Sequence, residues 1–256
     1  MNYMKICYFT HQHLLIYWVI TIICFGCSDQ ESRFVKNQLT ENTIRGKALA
    51  FDFNESVVEV EVLGRSQNLA EKIPVKAGNR LSLQVQPGDL ALLNNQEYFV
   101  GKLQESFSSS AGKTFLLYNV WPDDPAERIR VKNVNRILRR NTLSLGESVV
   151  RTIGDNLPPF ALYDQDGEVI TTDFFDGSVT VLNFIFSRCS VAEMCPAATM
   201  KMKKLQELAE KTNIPHIRFL SITLDPIFDS PGVLKSYARG YNLNENNFKV
   251  CTAKKP

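Results

Sequence analysis

Cys189 and Cys195 stand where an apolar strand-like run gives way to a helix, a placement and spacing that suit thiolate chemistry. Cys189 follows the apolar run of residues 179–186, and Cys195-Pro196 opens a stretch of helical spacing through about Thr212. Unpaired N–H groups and the partial positive charge at a helix N-terminus lower a thiol pKa and favour the thiolate. Arg188 adds a neighbouring cation in the sequence. Thiolates are soft ligands for Cu(I), and they are also redox nucleophiles. Five residues separate the two cysteines, more than the two of a thioredoxin-type redox loop. A loop of that length can bring both sulfurs to one point without forcing them into a disulfide.

The flanking elements read as α/β. Residues 160–163, the turn 164–167 and residues 168–170 look like a hairpin. The near-continuous apolar run 179–186 suits a strand buried on both faces. In residues 196–212, Ala198, Met202, Leu205 and Ala209 share one helical side, opposite lysines and glutamates. Residues 217–224 read as a second core strand. Ser230-Pro231 sets an N-cap residue before a proline at the first helical position, opening a helix to about Tyr241. Strand, helix, strand, helix in that order implies a right-handed parallel crossover.

Ahead of this region, residues 57–62 and 80–85 alternate apolar and polar, and residues 97–103 and 114–120 read as two further strands. Gln86-Pro87-Gly88-Asp89 reads as a turn. A small antiparallel barrel or sandwich is expected over 44–122. Residues 123–150 are basic, with Arg128, Arg130, Lys132, Arg136, Arg139 and Arg140. They read as a polar linker or short helix, with an anionic-lipid contact as the alternative.

The first residues resemble an export signal: one cation, Lys5, then the apolar run 14–23, then Cys24-Phe25-Gly26-Cys27. The run is shorter than the about twenty residues that span a bilayer. Gly26-Cys27 resembles a bacterial lipoprotein cleavage site, which would make Cys27 the acylated first residue of the mature chain. The alternative is an uncleaved anchor from about Met4 to Phe25. Both readings place the chain outside the cytoplasm on a membrane, the first with residues 1–27 as the signal and 28–43 as a tether. Of six cysteines, Cys189, Cys195 and Cys251 would then remain for chemistry in an oxidising compartment.

Asn183-Phe184-Ile185-Phe186-Ser187-Arg188-Cys189, Cys195-Pro196, and Asp225-Pro226-Ile227-Phe228-Asp229-Ser230-Pro231 with Leu234 and Tyr237-Ala238 resemble the SCO/SenC family. The resemblance covers roughly residues 153–248. It implies a thioredoxin-like domain over 151–256, preceded by the small β domain. It also implies Cys189 and Cys195 as copper-binding thiols, Cu(I) being the suited state. The partner it implies is a cytochrome c oxidase subunit or another copper or thiol-redox protein, on the periplasmic side of a bacterial membrane. Members deliver copper to the oxidase or act as thiol–disulfide reductants in its assembly. Their most familiar form has three residues between the cysteines, and variants with a longer Arg-Cys…Cys-Pro loop are similar.

The family's third copper ligand is a histidine on a hairpin beyond the second crossover helix. Residues 248–256 stand before such a hairpin and 251–256 read as an abrupt tail, so a C-terminally truncated form with uncovered core strands is expected. The histidines present are His11 and His13 in the signal and His216, which reads as a strand-edge residue. Met194, Met200 and Met202 cluster near the pair, and packing is the expected role of that cluster. Asp225 and Asp229 are expected to shape the crossover loop. Between Glu31 and Arg188 there is no His, Met or Cys, which excludes a soft-metal site in the β domain.

A net charge of +2, from 29 basic and 27 acidic residues, gives no electrostatic argument for nucleic acid. With no Gly-rich phosphate loop and no Ser/His/Asp arrangement, hydrolases and nucleotide enzymes are poorly supported. Copper handling therefore leads. A thiol–disulfide reductase or thiol peroxidase on the same fold is the alternative, and a nonfunctional remnant the third reading.

Overall fold

The computed structural model describes residues 39–72, 75–108, 112–145 and 150–253, and among these described residues there are ten strands and five α-helices. The signal, Cys27, His11 and His13 lie outside these residues. Strands β1 (Thr43–Asp52), β2 (Val57–Arg65), β3 (Arg80–Val85), β4 (Tyr98–Ser108) and β5 (Gly112–Pro122) close a barrel in the order β1-β2-β3-β5-β4. Period-two alternation sends Val58, Val60 and Val62 inward, where they meet Leu83, Phe99 and Leu117. Bulges between Arg45 and Gly46 and between Ala48 and Ala50 let β1 pair with both β2 and β4. Pairing is antiparallel except between β3 and β5, which run parallel. That order, with a helix between the third and fourth strands, is the layout of an OB-type barrel rather than a purely antiparallel one.

Two helices interrupt the strands: α1 (Gln67–Lys72) and α2 (Pro87–Asn95). The turn expected at Gln86–Asp89 is the start of α2, because proline is favoured in the first helical turn and Leu90, Leu92 and Leu93 give the helix a face to bury in the barrel core. The basic stretch is one 21-residue helix, α3 (Pro125–Leu145). Its start is fixed by Asp123, which is buried and accepts from Arg45 at 2.5 Å and from Arg128 at 2.6 Å. Asp124 caps the first turn, accepting from the N–H of Ala126 and Glu127.

The hairpin β6 (Ala161–Tyr163) and β7 (Val169–Thr171) precedes a parallel sheet of β8 (Val179–Ile185), β9 (Ile217–Thr223) and β10 (Phe248–Cys251), in the order β10-β9-β8. Helices α4 (Cys195–Lys211) and α5 (Pro231–Gly240) make the two crossovers. Of the residues expected to be an abrupt tail, Cys251 ends β10 and Thr252 bridges to Tyr163. Phe248 stacks on Phe219 at 5.7 Å, and the buried Gln165 serves as a ladder partner: its Oε1 accepts from Val250 N at 2.8 Å and its Nε2 donates to Phe248 O. The run in β8, expected to be buried on both faces, is not. Val181 and Ile185 pack toward the helices, whereas Leu182 and Phe184 are exposed. The hairpin covers Leu220 and Cys251 and stops short of β8, the edge strand of this sheet.

Barrel and sheet meet where α2 crosses α5, glycine against glycine. A Cβ on Gly88 would lie 1.9 Å from the Gly232 carbonyl oxygen, and one on Gly232 would lie 2.1 Å from Asp89 Oδ1. Asp89 is sealed in this seam, and its Oδ1 has no hydrogen-bond partner. Burial pushes its carboxyl up to about 7, against a pull downward from the Val120 N–H. The unfolded carboxyl ionises near 3.8, so between that pH and about 7 the native state holds a proton the unfolded state has lost. Stability should therefore fall with rising pH across this window, by up to roughly 4 kcal/mol. Urea midpoints at pH 5 and pH 8 should differ for the wild-type chain by clearly more than for Asp89→Asn; equal differences would mean that the seam holds no neutral carboxyl.

Candidate functional site

Cys189 leaves the sheet four residues after β8 and Cys195 begins α4, so the loop between them spans a strand end and a helix N-terminus. Both are free thiols, Cys189 partly exposed and Cys195 buried. Their environments pull them apart. Cys189 is lowered from the ordinary thiol value, first by the backbone N–H of Cys195 and further by the Cys195 thiol. The Val191 peptide acts in both senses. Its N–H favours the thiolate, while its carbonyl, 3.8 Å from Sγ, accepts only from the protonated thiol. Cys195 is raised, first by burial and then by the adjacent Cys189. The helix N-terminus thus activates Cys189 through the Cys195 amide, while the cysteine at the helix start is held back by desolvation.

Arg188 does not serve the thiols as the sequence suggested. Its guanidinium pairs with Asp225 at 2.5 Å and lies over the Phe228 ring at 4.2 Å. That pairing lowers the Asp225 carboxyl. The side chain that positions the pair is Asp229, wholly buried. It accepts from the Ser187 N–H at 3.0 Å and from the hydroxyls of Ser187 and Thr223. One carboxylate therefore ties the loop leaving β8 to the end of β9 and to the start of α5. The Asp-Pro-x-x-Asp-Ser-Pro run shapes this crossover as expected. Ser230 does occupy the N-cap position of α5, but its hydroxyl makes no cap bond and is buried without a partner.

Behind the pair, the Tyr237 hydroxyl meets Thr199 Oγ1 at 2.6 Å and joins α5 to α4. Burial raises the Tyr237 phenol, and the nearby Cys195 adds to that. Tyr237 belongs to the run that resembles the SCO/SenC family, whereas Thr199 does not stand out from composition, and its helical spacing is the available signal. Met202 packs in the core as expected, while Met194 and Met200 are exposed. His216 precedes β9 at the end remote from Thr223, about 20 Å along the strand. It is not brought to the cysteines. Cys251 lies on β10, fully buried, with its thiol pushed up by desolvation. Among the described residues no group of three or more His, Cys, Asp or Glu is placed to hold a metal. The site offers two sulfurs.

The SCO1/SenC family model matches residues 152–246. By sequence, this segment belongs to the SCO1/SenC family. The SCO1 protein homolog of Bacillus subtilis is 31% identical over 107 residues, which cover 42% of this chain and 54% of that protein. Among solved structures, a SCO1/SenC family lipoprotein from Bacillus anthracis matches at 29% identity and a TM-score of 0.38, covering 42% of this chain and 62% of that one. Yeast Sco1 with copper bound matches at 31% identity and a TM-score of 0.32, covering 38% and 58%. The chain spans about half the length of the curated relatives it matches. The SCO1/SenC segment contains the pair, the Asp229 hub and both crossover helices, and the barrel lies outside it.

Two outcomes follow from this geometry. Iodoacetamide near neutral pH should label Cys189 well ahead of Cys195, and peptide mass spectrometry reads the order directly; equal rates would contradict the split. Asp229→Ala strands the Ser187 and Thr223 donors and should cost roughly 3 to 5 kcal/mol in chemical denaturation. A loss below about 1 kcal/mol would remove Asp229 from its positioning role.

Proposed function

We propose that this chain binds Cu(I) as cargo through Cys189 and Cys195, on the outer side of a membrane, in the service of cytochrome c oxidase assembly. The observation that carries the reading is the thiol pair itself: two free sulfurs at one helix N-terminus, one of them biased toward thiolate. Soft thiolates favour Cu(I) over harder divalent ions, and two sulfurs form a sufficient low-coordinate site for it. Support comes from the SCO1/SenC segment and from yeast Sco1, which holds copper. The oxidase as recipient, acylation at Cys27 and a spacer or docking role for the barrel complete the proposal. The Bacillus anthracis relative is described as a lipoprotein, which supports the Cys27 assignment.

A second reading, thiol–disulfide exchange, is favoured by the opposite shifts of the two thiols. A nucleophile with a lowered pKa beside a protected partner is what attack and resolution require. Attack by the Cys189 thiolate on a substrate disulfide forms a mixed disulfide and releases one substrate thiolate. The Cys195 thiolate then attacks Cys189 sulfur, releasing the second and leaving Cys189–Cys195 oxidised. A thiol donor must return the two electrons.

Anaerobic titration of the reduced full-length chain against a chromogenic Cu(I) chelator separates the readings. One tightly held Cu(I) per chain is expected, lost in both Cys189→Ser and Cys195→Ser. Failure of the wild-type chain to compete with the chelator overturns copper handling. Turnover of a disulfide substrate with a thiol donor, abolished in Cys189→Ser, would then establish the exchange reading.

A further inference from the structure

Helix α3 concentrates charge that the rest of the chain does not share. It carries Arg128, Arg130, Lys132, Arg136, Arg139 and Arg140 against the single acid Glu127, in a chain whose net charge is only +2. Two of the six are spent locally, Arg128 on Asp123 and Arg130 on Glu127. Lys132, Arg136, Arg139 and Arg140 are exposed and make no ion pair among the described residues.

Their spacing decides what they form. The inward stripe is Val131, Val134 and Asn135. Val131 and Val134 pack with Trp121 and Tyr163, and Asn135 exchanges two hydrogen bonds with the Ala161 backbone. Ile129, Lys132, Arg136, the Arg139-Arg140 pair and Leu143 follow one another at intervals of three or four, so they share the opposite, outward face. That face bears no acidic residue. Ile129, Ile137 and Leu143 stand on it more than half exposed. A helix of this length presents a basic strip about 30 Å long, with apolar side chains set among the cations.

We infer that the outward face of α3 is a docking surface for the anionic headgroups of a phospholipid bilayer, holding the SCO1/SenC segment against the membrane that anchors the chain. The inference rests on the membrane placement proposed above. Lys and Arg near a negatively charged leaflet each strengthen attraction about fivefold, and interspersed Ile and Leu enter the headgroup layer. A soluble acidic partner would need carboxylates matched to the cations and would gain nothing from exposed Ile129 and Leu143. The chain also has the reach. From Cys27 to Thr40 an extended backbone covers at most about 45 Å, so a lipidated Cys27 keeps the body within a few tens of ångströms of the surface.

Arginine footprinting with phenylglyoxal on the full-length chain, reconstituted into vesicles and read by mass spectrometry, tests this. In phosphatidylcholine with about a third phosphatidylglycerol, Arg136, Arg139 and Arg140 should be modified several-fold more slowly, relative to exposed Arg80, than in phosphatidylcholine alone. Raising salt from about 0.15 M to about 1 M should erase the difference. The variant R139Q/R140Q should lower the docked-to-free ratio reported by Arg136 about 25-fold. Equal modification in the two vesicle types overturns the inference. Equal protection by soluble polyglutamate over neutral vesicles also overturns it and assigns the face to an acidic protein. Flotation with phosphatidylcholine vesicles reports anchoring separately: a chain that fails to float, yet is protected by anionic vesicles, keeps the lipid face and loses the anchor.

Discussion

Everything at the cysteine pair depends on one buried carboxylate. Asp229 takes three hydrogen bonds, two from Ser187 and one from Thr223. Ser187 stands two residues before Cys189, and Thr223 ends β9. Without that anchor, the loop from β8 to α4 would be positioned only at its ends, and the Cys195 amide would not reliably meet the Cys189 sulfur. A buried charge is costly unless its oxygens are satisfied. Here the donors come from a strand exit and from the loop that leads to Cys189, so satisfying the charge also sets the geometry. Function and fold are coupled through the same acceptor.

A second constraint connects this region to the barrel. The turn Asp164–Gly167 has the barrel on one side and the sheet on the other. Gly167 adopts a positive φ of 81°, and a Cβ there would lie 2.6 Å from Leu92 and 2.7 Å from Pro122. The two acids of the turn hold Lys249 of β10 at 2.8 Å and Lys235 of α5 at 2.6 Å. The turn therefore reads β10 and α5 at once while packing on α2 and β5. Across the same seam, Gly88 and Gly232 bring helices too close for any side chain between them. Asp89 is enclosed there at a real cost in solvation, which shows how strongly the packing around it is determined.

Sequence patterns reveal the parts of this molecule that depend on local chemistry. The cysteine spacing, the hairpin, the strand-to-helix junction at Cys195 and the Ser-Pro entry to α5 are each written in a few adjacent residues. The parts that escaped depend on partners far along the chain. Gln86–Asp89 reads as a turn until Leu90, Leu92 and Leu93 find the barrel core. Phe248–Cys251 is not legible as a strand because its pairing with β9 and its edge partner Gln165, 83 to 85 positions away, are invisible locally. Arg188 is beside Cys189 in sequence, yet its charge goes to Asp225, 37 residues on. The apolar run of β8 reads as doubly buried because composition does not say how far a covering hairpin extends.

The opposite shifts of the two thiols follow from their different depths along one helix axis. Cys195 is the first residue of α4, so its amide points out of the helix toward Cys189, while its own side chain turns into the core formed by Ile185, Met202 and Leu234. The same residue thus donates the helix's positive end to its partner and loses its own share to burial. Tyr237, bonded to Thr199 one turn further along α4, keeps that orientation by fixing α4 to α5. Since α5 also carries Gly232 and Lys235, a single helix bears the barrel seam on one side and the back of the thiol site on the other. Any change in how the barrel seats on α5 has a short route to Cys195, through the Tyr237–Thr199 hydrogen bond and the first turn of α4. The asymmetry of the pair is therefore set by the start of α4 and the core it enters as well as by the loop between the two cysteines.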